Sequence, residues 1–292
     1  MAPYLYLSWG SPQNPVQVMQ ATGVTCFTIA FLLAGPSCQP LWDGTDSLTS
    51  SIEATAIANI RAAGGDAITS SGGSTSSLSL EVQCSSASAL ATAYKKVIDT
   101  YSLKAFDVDL EGSALSTNAV QDKVLQALAL VKAARPNTKL ILTIPSGQFG
   151  LHSDARRLVT QAAATHTTLD VWSIMPFDFG SSSTNMSSAT VSASEALHAS
   201  LKTLFPGKTD AQIYAMQGIS TMNGITDNGE IITLAVAQAI YSYAAQHNLG
   251  RLTTWALNRD RACTTGLSVG TSCSGVTQQP LDFTKMFVRG HL

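Results

Sequence analysis

Short apolar runs with β character alternate eight times with longer segments of helical periodicity, and few folds accommodate that alternation. The runs are Tyr4 to Trp9, Cys26 to Leu33, Asp66 to Ser71, Ala105 to Glu111, Leu140 to Pro145, Val171 to Phe177, Ile213 to Ile219 and Leu252 to Leu257. Helical spacing covers Gln13 to Thr22, Ser51 to Ala63, Ala87 to Tyr101, Val120 to Ala134, His152 to Thr165, Val191 to Leu204 and Glu230 to His247, with stops such as Gly64-Gly65 and Pro136. Ala34 to Thr49 reads as a long loop. A strand followed by a helix, repeated eight times, predicts a parallel sheet closed on itself: an α/β chain forming one (β/α)8 TIM barrel over residues 1–292. A doubly wound open sheet is the alternative, but no Gly-x-Gly-x-x-Gly follows the first strand. Only about thirty residues join the seventh and eighth strands, too few for an α+β insertion domain.

A barrel of this kind carries its working groups at the carboxyl ends of its strands. The run Ala105-Phe-Asp-Val-Asp-Leu-Glu-Gly112 is the most demanding one to explain. Successive side chains of a strand point to opposite faces, so Asp107, Asp109 and Glu111 share one face while Phe106, Val108 and Leu110 share the other. Three carboxylates in a row repel one another and are costly to desolvate, which favours a site that handles protons. Strand closure, calcium binding and capping of the next helix are the plainer uses of acids at such spacing.

Charged residues make up only 12% of the 292 residues and leave a net charge of −2, with no basic stripe, so neither nucleic acid nor anionic membrane is an expected partner. The longest apolar stretch, Cys26 to Ala34, is too short to span a bilayer, and Met-Ala-Pro-Tyr lacks the marks of a signal peptide. The chain is then either cytosolic or the mature form of an exported protein. Five cysteines favour export. Cys263 and Cys273 flank a loop that a disulfide would close, Cys38 and Cys84 each follow a strand, and Cys26 lies within an apolar run as a free thiol. Asn185-Met-Ser187 is a glycosylation acceptor pattern. Neither the cysteines nor the scattered histidines have metal-site spacing, so no metal or cofactor is expected.

Four motifs fall at strand ends in chain order: Ser70-Ser-Gly-Gly73, Asp107-Val-Asp-Leu-Glu111, Met175-Pro-Phe-Asp178 and Trp255. Together they resemble glycoside hydrolase family 18, the chitinases and related endo-N-acetylglucosaminidases. Gly218 to Asp227 is similar to the loop after strand seven in compact bacterial members. The resemblance implies a secreted, endo-acting, retaining chitinase that acts as a monomer on chitin or chitooligosaccharides. Glu111 would be the general acid and then base, and Asp109 would hold Glu111 protonated and orient the substrate's acetamido group. Asp107 would share a proton with Asp109, and Asp178 would help place the acetamido group. Trp255 would floor the cleaved subsite, with Met175, Phe177, Trp9, Ser70, Gly72 and Gly73 as further substrate-side residues. The substrate's own N-acetyl oxygen would be the nucleophile, so a second carboxylate in that role is not needed.

The chain departs from the family pattern at two positions. Lys104 stands where an aspartate is usual, on the face opposite Asp107, and Phe177 stands where a tyrosine is usual, which removes a hydroxyl. An endo-N-acetylglucosaminidase acting on N-glycans would use the same carboxylates. A non-catalytic chitinase-like lectin would be expected to lack the acid. Among the other aromatics, Trp42 is equally suited to a subsite wall or to loop packing, and Trp172 begins its strand at the end away from the site. For Asn258, Arg259 and Asp260, helix capping or an ion pair is the expected use rather than the cleft.

Overall fold

The computed structural model describes residues 1–180 and 185–289. Eight parallel strands run in chain order around a nearly closed barrel: β1 Tyr4–Tyr6, β2 Cys26–Gly35, β3 Asp66–Gly72, β4 Ala105–Asp109, β5 Lys139–Pro145, β6 Val171–Met175, β7 Gln217–Met222 and β8 Arg251–Trp255. One principal helix follows each strand: α1 Pro15–Thr22, α2 Ile52–Ala62, α3 Ala87–Tyr101, α4 Asn118–Ala134, α5 Ser153–Ala164, α6 Met186–Leu204, α7 Leu234–His247 and α8 Asp282–Arg289. The helix starts are chemically marked. Asn14, Ser51, Ser86, Asn185 and Thr233 each accept a backbone N–H of the first turn through the side chain.

The sheet separates two environments. Phe106, Val108 and Leu110 point outward from β4 and are fully buried against the surrounding helices. The inward face is polar: Ser70 and Gly72 lie in register with Asp107 and Asp109, and Asp109 pairs with Thr143 on the other side. Between β8 and β1, side chains complete the wall. Asn258, just past β8, accepts the Tyr6 N–H at 3.1 Å and donates to the Tyr6 carbonyl at 2.8 Å, presenting an amide where a neighbouring strand would present its backbone. Thr253 Oγ1 donates to the Ala2 carbonyl at 2.5 Å, deeper in the same seam.

Several elements differ from the sequence expectation. The seventh strand begins at Gln217, not Ile213, because Asp210–Ala215 forms a short helix with a Thr209/Gln212 capping box. The segment taken as one loop contains a further strand, Gln39–Trp42, antiparallel to β2. The acidic strand itself stops at Asp109, and Glu111 is the extended residue that begins the short helix Gly112–Ser116. Disulfides join Cys38 to Cys84 and Cys263 to Cys273, as the spacing suggested, while Cys26 is a free, partly buried thiol. Among the described residues no helix is long and apolar enough to cross a membrane.

Candidate active site

Asp107 is the deepest of the three acids and is inaccessible to solvent. Its Oδ2 accepts hydrogen bonds from Tyr4 Oη at 2.6 Å and Ser70 Oγ at 2.7 Å, and its Oδ1 accepts one from Thr143 Oγ1 at 2.8 Å. Arg251 Nη2 lies 3.9 Å from the same Oδ2, with its guanidinium 5.6 Å from the Tyr4 ring centroid. Donors from β1, β3 and β5 and a cation from β8 therefore converge on one carboxylate.

Asp109 sits one pleat higher, buried, with Oδ1 lacking any hydrogen-bond partner. Burial pushes its proton affinity well above the usual carboxylate range, the charges of Glu111 and Asp107 push it further, and Arg251 opposes them. Glu111 reaches the cavity and is hydrogen-bonded to Asp109. Burial raises Glu111 to about 7; the bond to Asp109 opposes this, and the charges of Asp178 and Asp227 reinforce it. Asp109 and Glu111 thus retain protons at pH values where an exposed carboxylic acid would have lost them.

Glycines allow the strands to approach at this point. At Gly72, with φ of +101°, a Cβ would lie 2.2 Å from the Asp109 carbonyl oxygen, and at Gly73, with φ of +84°, it would lie 2.9 Å from the Phe31 ring. Gly73 N–H donates to that Asp109 carbonyl at 2.9 Å. Ser70, Gly72 and Gly73 accordingly back the acidic strand, and they do not line the cavity.

The cavity, about 200 Å³, brings together Asp109, Glu111, Asp178, Met175, Phe177, Trp9 and Trp255. Trp255 is wedged among aromatic rings: its centroid is 5.5 Å from Phe31 in a stacked arrangement, 5.7 Å from Tyr4 and 5.8 Å from Trp9. Such packing fixes an indole as a flat wall at low entropic cost. Asp178, with φ of +57°, accepts the Asn228 N–H at 2.9 Å, which ties the loop after β6 to the loop after β7. Burial raises its proton affinity as well.

Tyr4, Phe31, Arg251, Ser220 and Asp227 belong to this constellation and were not singled out by sequence. The only available signal was their position on or after inward-facing strand residues. Trp42 and Trp172 are fully buried, the former donating from Nε1 to Tyr101 Oη at 2.9 Å, and neither faces the cavity. Lys104 is an exposed partner of Asp66 at 2.8 Å. Asp260 caps α8, accepting from the Thr284 N–H at 2.8 Å, and Arg259 is buried with a hydrogen bond to the Ile225 carbonyl. Among the described residues no cluster of His, Cys, Asp or Glu is arranged to hold a metal ion.

No protein-family model matches the chain. The chain is 28% identical over 283 residues to the probable bifunctional chitinase/lysozyme of Escherichia coli, covering 91% of this chain and 31% of that protein. It is 27% identical to endochitinase 11 of Metarhizium anisopliae, covering 89% of this chain and 52% of that protein. It therefore spans about a third and about half of the length of these relatives. The catalytic domain of a hyperthermophilic chitinase from Pyrococcus furiosus superposes with a TM-score of 0.88 at 29% identity, covering 99% of this chain and 93% of that one. A GH18 chitinase from Pseudoalteromonas aurantia, 13% identical with a TM-score of 0.57 over 88% of this chain and 94% of its own, shares the fold. Fold and relatives together define a barrel glycoside hydrolase. In sequence and fold the chain is similar to the chitinases of glycoside hydrolase family 18.

Proposed function

We propose that this protein is a secreted, endo-acting chitinase, working as a monomer, that cleaves β-1,4 bonds between N-acetylglucosamine units with retention of anomeric configuration. The observation that carries the reading is Glu111, held near neutral proton affinity against Asp109 beside the Trp255 wall.

Protonated Glu111 donates its proton to the glycosidic oxygen as the C–O bond breaks. The substrate's acetamido oxygen attacks the anomeric carbon from the opposite face and closes an oxazolinium ring. Asp109, with Oδ1 unpaired, is suited to accept the acetamido N–H, and Asp178 lines the same cavity. Glu111, now ionised, takes a proton from water as that water opens the ring, which restores the acid. Asp107 lies beneath, held in place by Tyr4, Ser70 and Thr143. Acid catalysis of this type contributes about a hundred- to ten-thousand-fold. Trp255 and Trp9 offer faces on which pyranose rings can stack.

The test is a comparison of three substrates. A chitin hexamer should yield internal fragments, while a glucosamine hexamer, which lacks the acetyl oxygen, should not be cleaved. Equal cleavage of the glucosamine hexamer would rule out substrate assistance. Release of glycan from a glycoprotein with chitin oligomers left intact would move the substrate to N-glycans.

A further inference from the structure

A buried carboxylate that takes no place in the cavity lining sits behind two of the acids that do. Glu230 is inaccessible to solvent and lies outside the lining, yet it ends the turn Thr226 to Glu230, which carries Asp227 into the cavity. The turn joins the short antiparallel strands Gly224–Ile225 and Ile231–Ile232 after β7, and the Thr226 N–H closes it on the Glu230 carbonyl at 2.8 Å. The Glu230 side chain then folds back along the turn. Its Oε2 accepts from Thr226 Oγ1, while its own N–H donates to that hydroxyl at 3.1 Å. Its Oε1 reaches out of the turn and accepts the Gly180 N–H at 2.8 Å, across 50 residues of sequence.

Gly180 lies two residues past Asp178. Both have left-handed backbone, with φ of +90° and +57°. A residue other than glycine rests in that region where its surroundings over-determine it. Hydrogen bonds from the one turn do so here: Asn228 N–H to Asp178 Oδ1 at 2.9 Å, Asn228 Nδ2 to the Asp178 carbonyl at 3.0 Å, and the Gly180 N–H to Glu230. The two from Asn228 are exposed and compete with water, whereas the one to Glu230 is partly buried. Arg259 fixes the start of the same turn by donating from Nη2 to the Ile225 carbonyl. For packing alone an apolar side chain would fill the place of Glu230 at lower cost, since a buried carboxylate must be desolvated. What the carboxylate adds is direction: an acceptor aimed at one backbone N–H of the neighbouring loop.

We propose that Glu230 is a positioning residue for the proposed reaction, clasping the loop after β6 to the turn after β7 and thereby setting the Asp178 carboxylate within the cavity. This rests on the chitinase reading above. Glu230 acts through Asp178 and does not touch substrate.

The experiment compares Glu230→Met, which keeps the volume and removes both acceptor oxygens, with Glu230→Gln, which keeps an oxygen for the Gly180 N–H. On chitin hexamer, Glu230→Met should lower kcat about tenfold or more with KM within about threefold, and Glu230→Gln should stay within about threefold of wild type. A double-mutant cycle with Asp178→Gly, a substitution that suits φ of +57°, reads the coupling: in that background Glu230→Met should cost less than about twofold. Additive losses, or a Glu230→Gln as impaired as Glu230→Met, would overturn the proposal. If Glu230→Met does not fold, Glu230→Asp, one methylene too short to reach Gly180, takes its place in the cycle. If wild type leaves the hexamer intact, the chitinase reading fails, and the same cycle read as urea midpoints decides the clasp, with additive shifts overturning it.

Discussion

Tyr4 Oη lies 2.6 Å from Asp107 Oδ2, so the first barrel strand donates a hydrogen bond to the deepest acid of the fourth. The contact spans 103 residues of sequence and passes through the barrel interior. It fixes Asp107 below Asp109, and the charge of Asp107 is one of the causes that raise the proton affinity of Asp109. Tyr4→Phe should therefore lower kcat about tenfold or more with a smaller effect on KM. Losing a hydrogen bond to a charged group should also cost roughly 1.5–3 kcal/mol of stability, read by urea unfolding.

Arg251 is the buried cation facing this cluster, 3.9 Å from Asp107. Arg251→Met leaves Asp107 buried without its counter-ion, and the fold should lose about 3–5 kcal/mol, measured by denaturant midpoint. A loss below about 1 kcal/mol would mean that the three hydroxyl donors suffice by themselves.

The raised proton affinity of Glu111 sets a pH dependence with a definite sign. In the proposed role of general acid, Glu111 must be protonated, so kcat/KM should fall as pH rises through about 7. For stability, the folded state binds more protons than the unfolded state between the ordinary glutamate value and about 7, so this group's contribution declines as pH rises through that window. Glu111→Gln, which cannot ionise, should thus gain Tm over wild type at pH 8 relative to pH 5. A Tm difference that stays flat with pH would contradict the assignment of that proton to Glu111.

Phe177 lines the cavity where the family usually has tyrosine. Restoring the hydroxyl with Phe177→Tyr should raise kcat/KM on chitin oligomers about two- to tenfold, the worth of one hydrogen bond. No gain, or a loss, would show that another donor already serves the acetamido group.

The two disulfides should separate by function. Cys38–Cys84 closes a separation of 46 residues and Cys263–Cys273 one of 10, so loop entropy assigns the first about 4 kcal/mol and the second about 3. Removing the first pair by serine substitution should lower Tm more. Removing the second should act mainly on KM, because Gly270, inside its loop, lines the catalytic cavity.

The legible part of this molecule was what local periodicity encodes. Alternation along Ala105 to Glu111 put three acids on one face, and the eight strand-helix units are present in order. Where the reading slipped, a local signal was ambiguous. The apolar run at Ile213 is a short helix whose Thr209/Gln212 capping box outweighs its strand-like composition. Residues that act across the barrel left no local trace. Tyr4 and Arg251 are ordinary strand residues until closure brings β1 and β8 against β4, and Asp227 reaches the cavity only because the loop after β7 folds over it. Asn258 likewise fills a seam that exists only once the ring has formed.

The central claim is that Glu111 is the acid in a retaining reaction, and anomer-resolved NMR of chitin hexamer cleavage tests it most directly. Wild type should release products that are initially β-anomers, and Glu111→Gln should release none while still binding hexamer. Initial α-anomers from wild type, or near-normal turnover by Glu111→Gln, would contradict it.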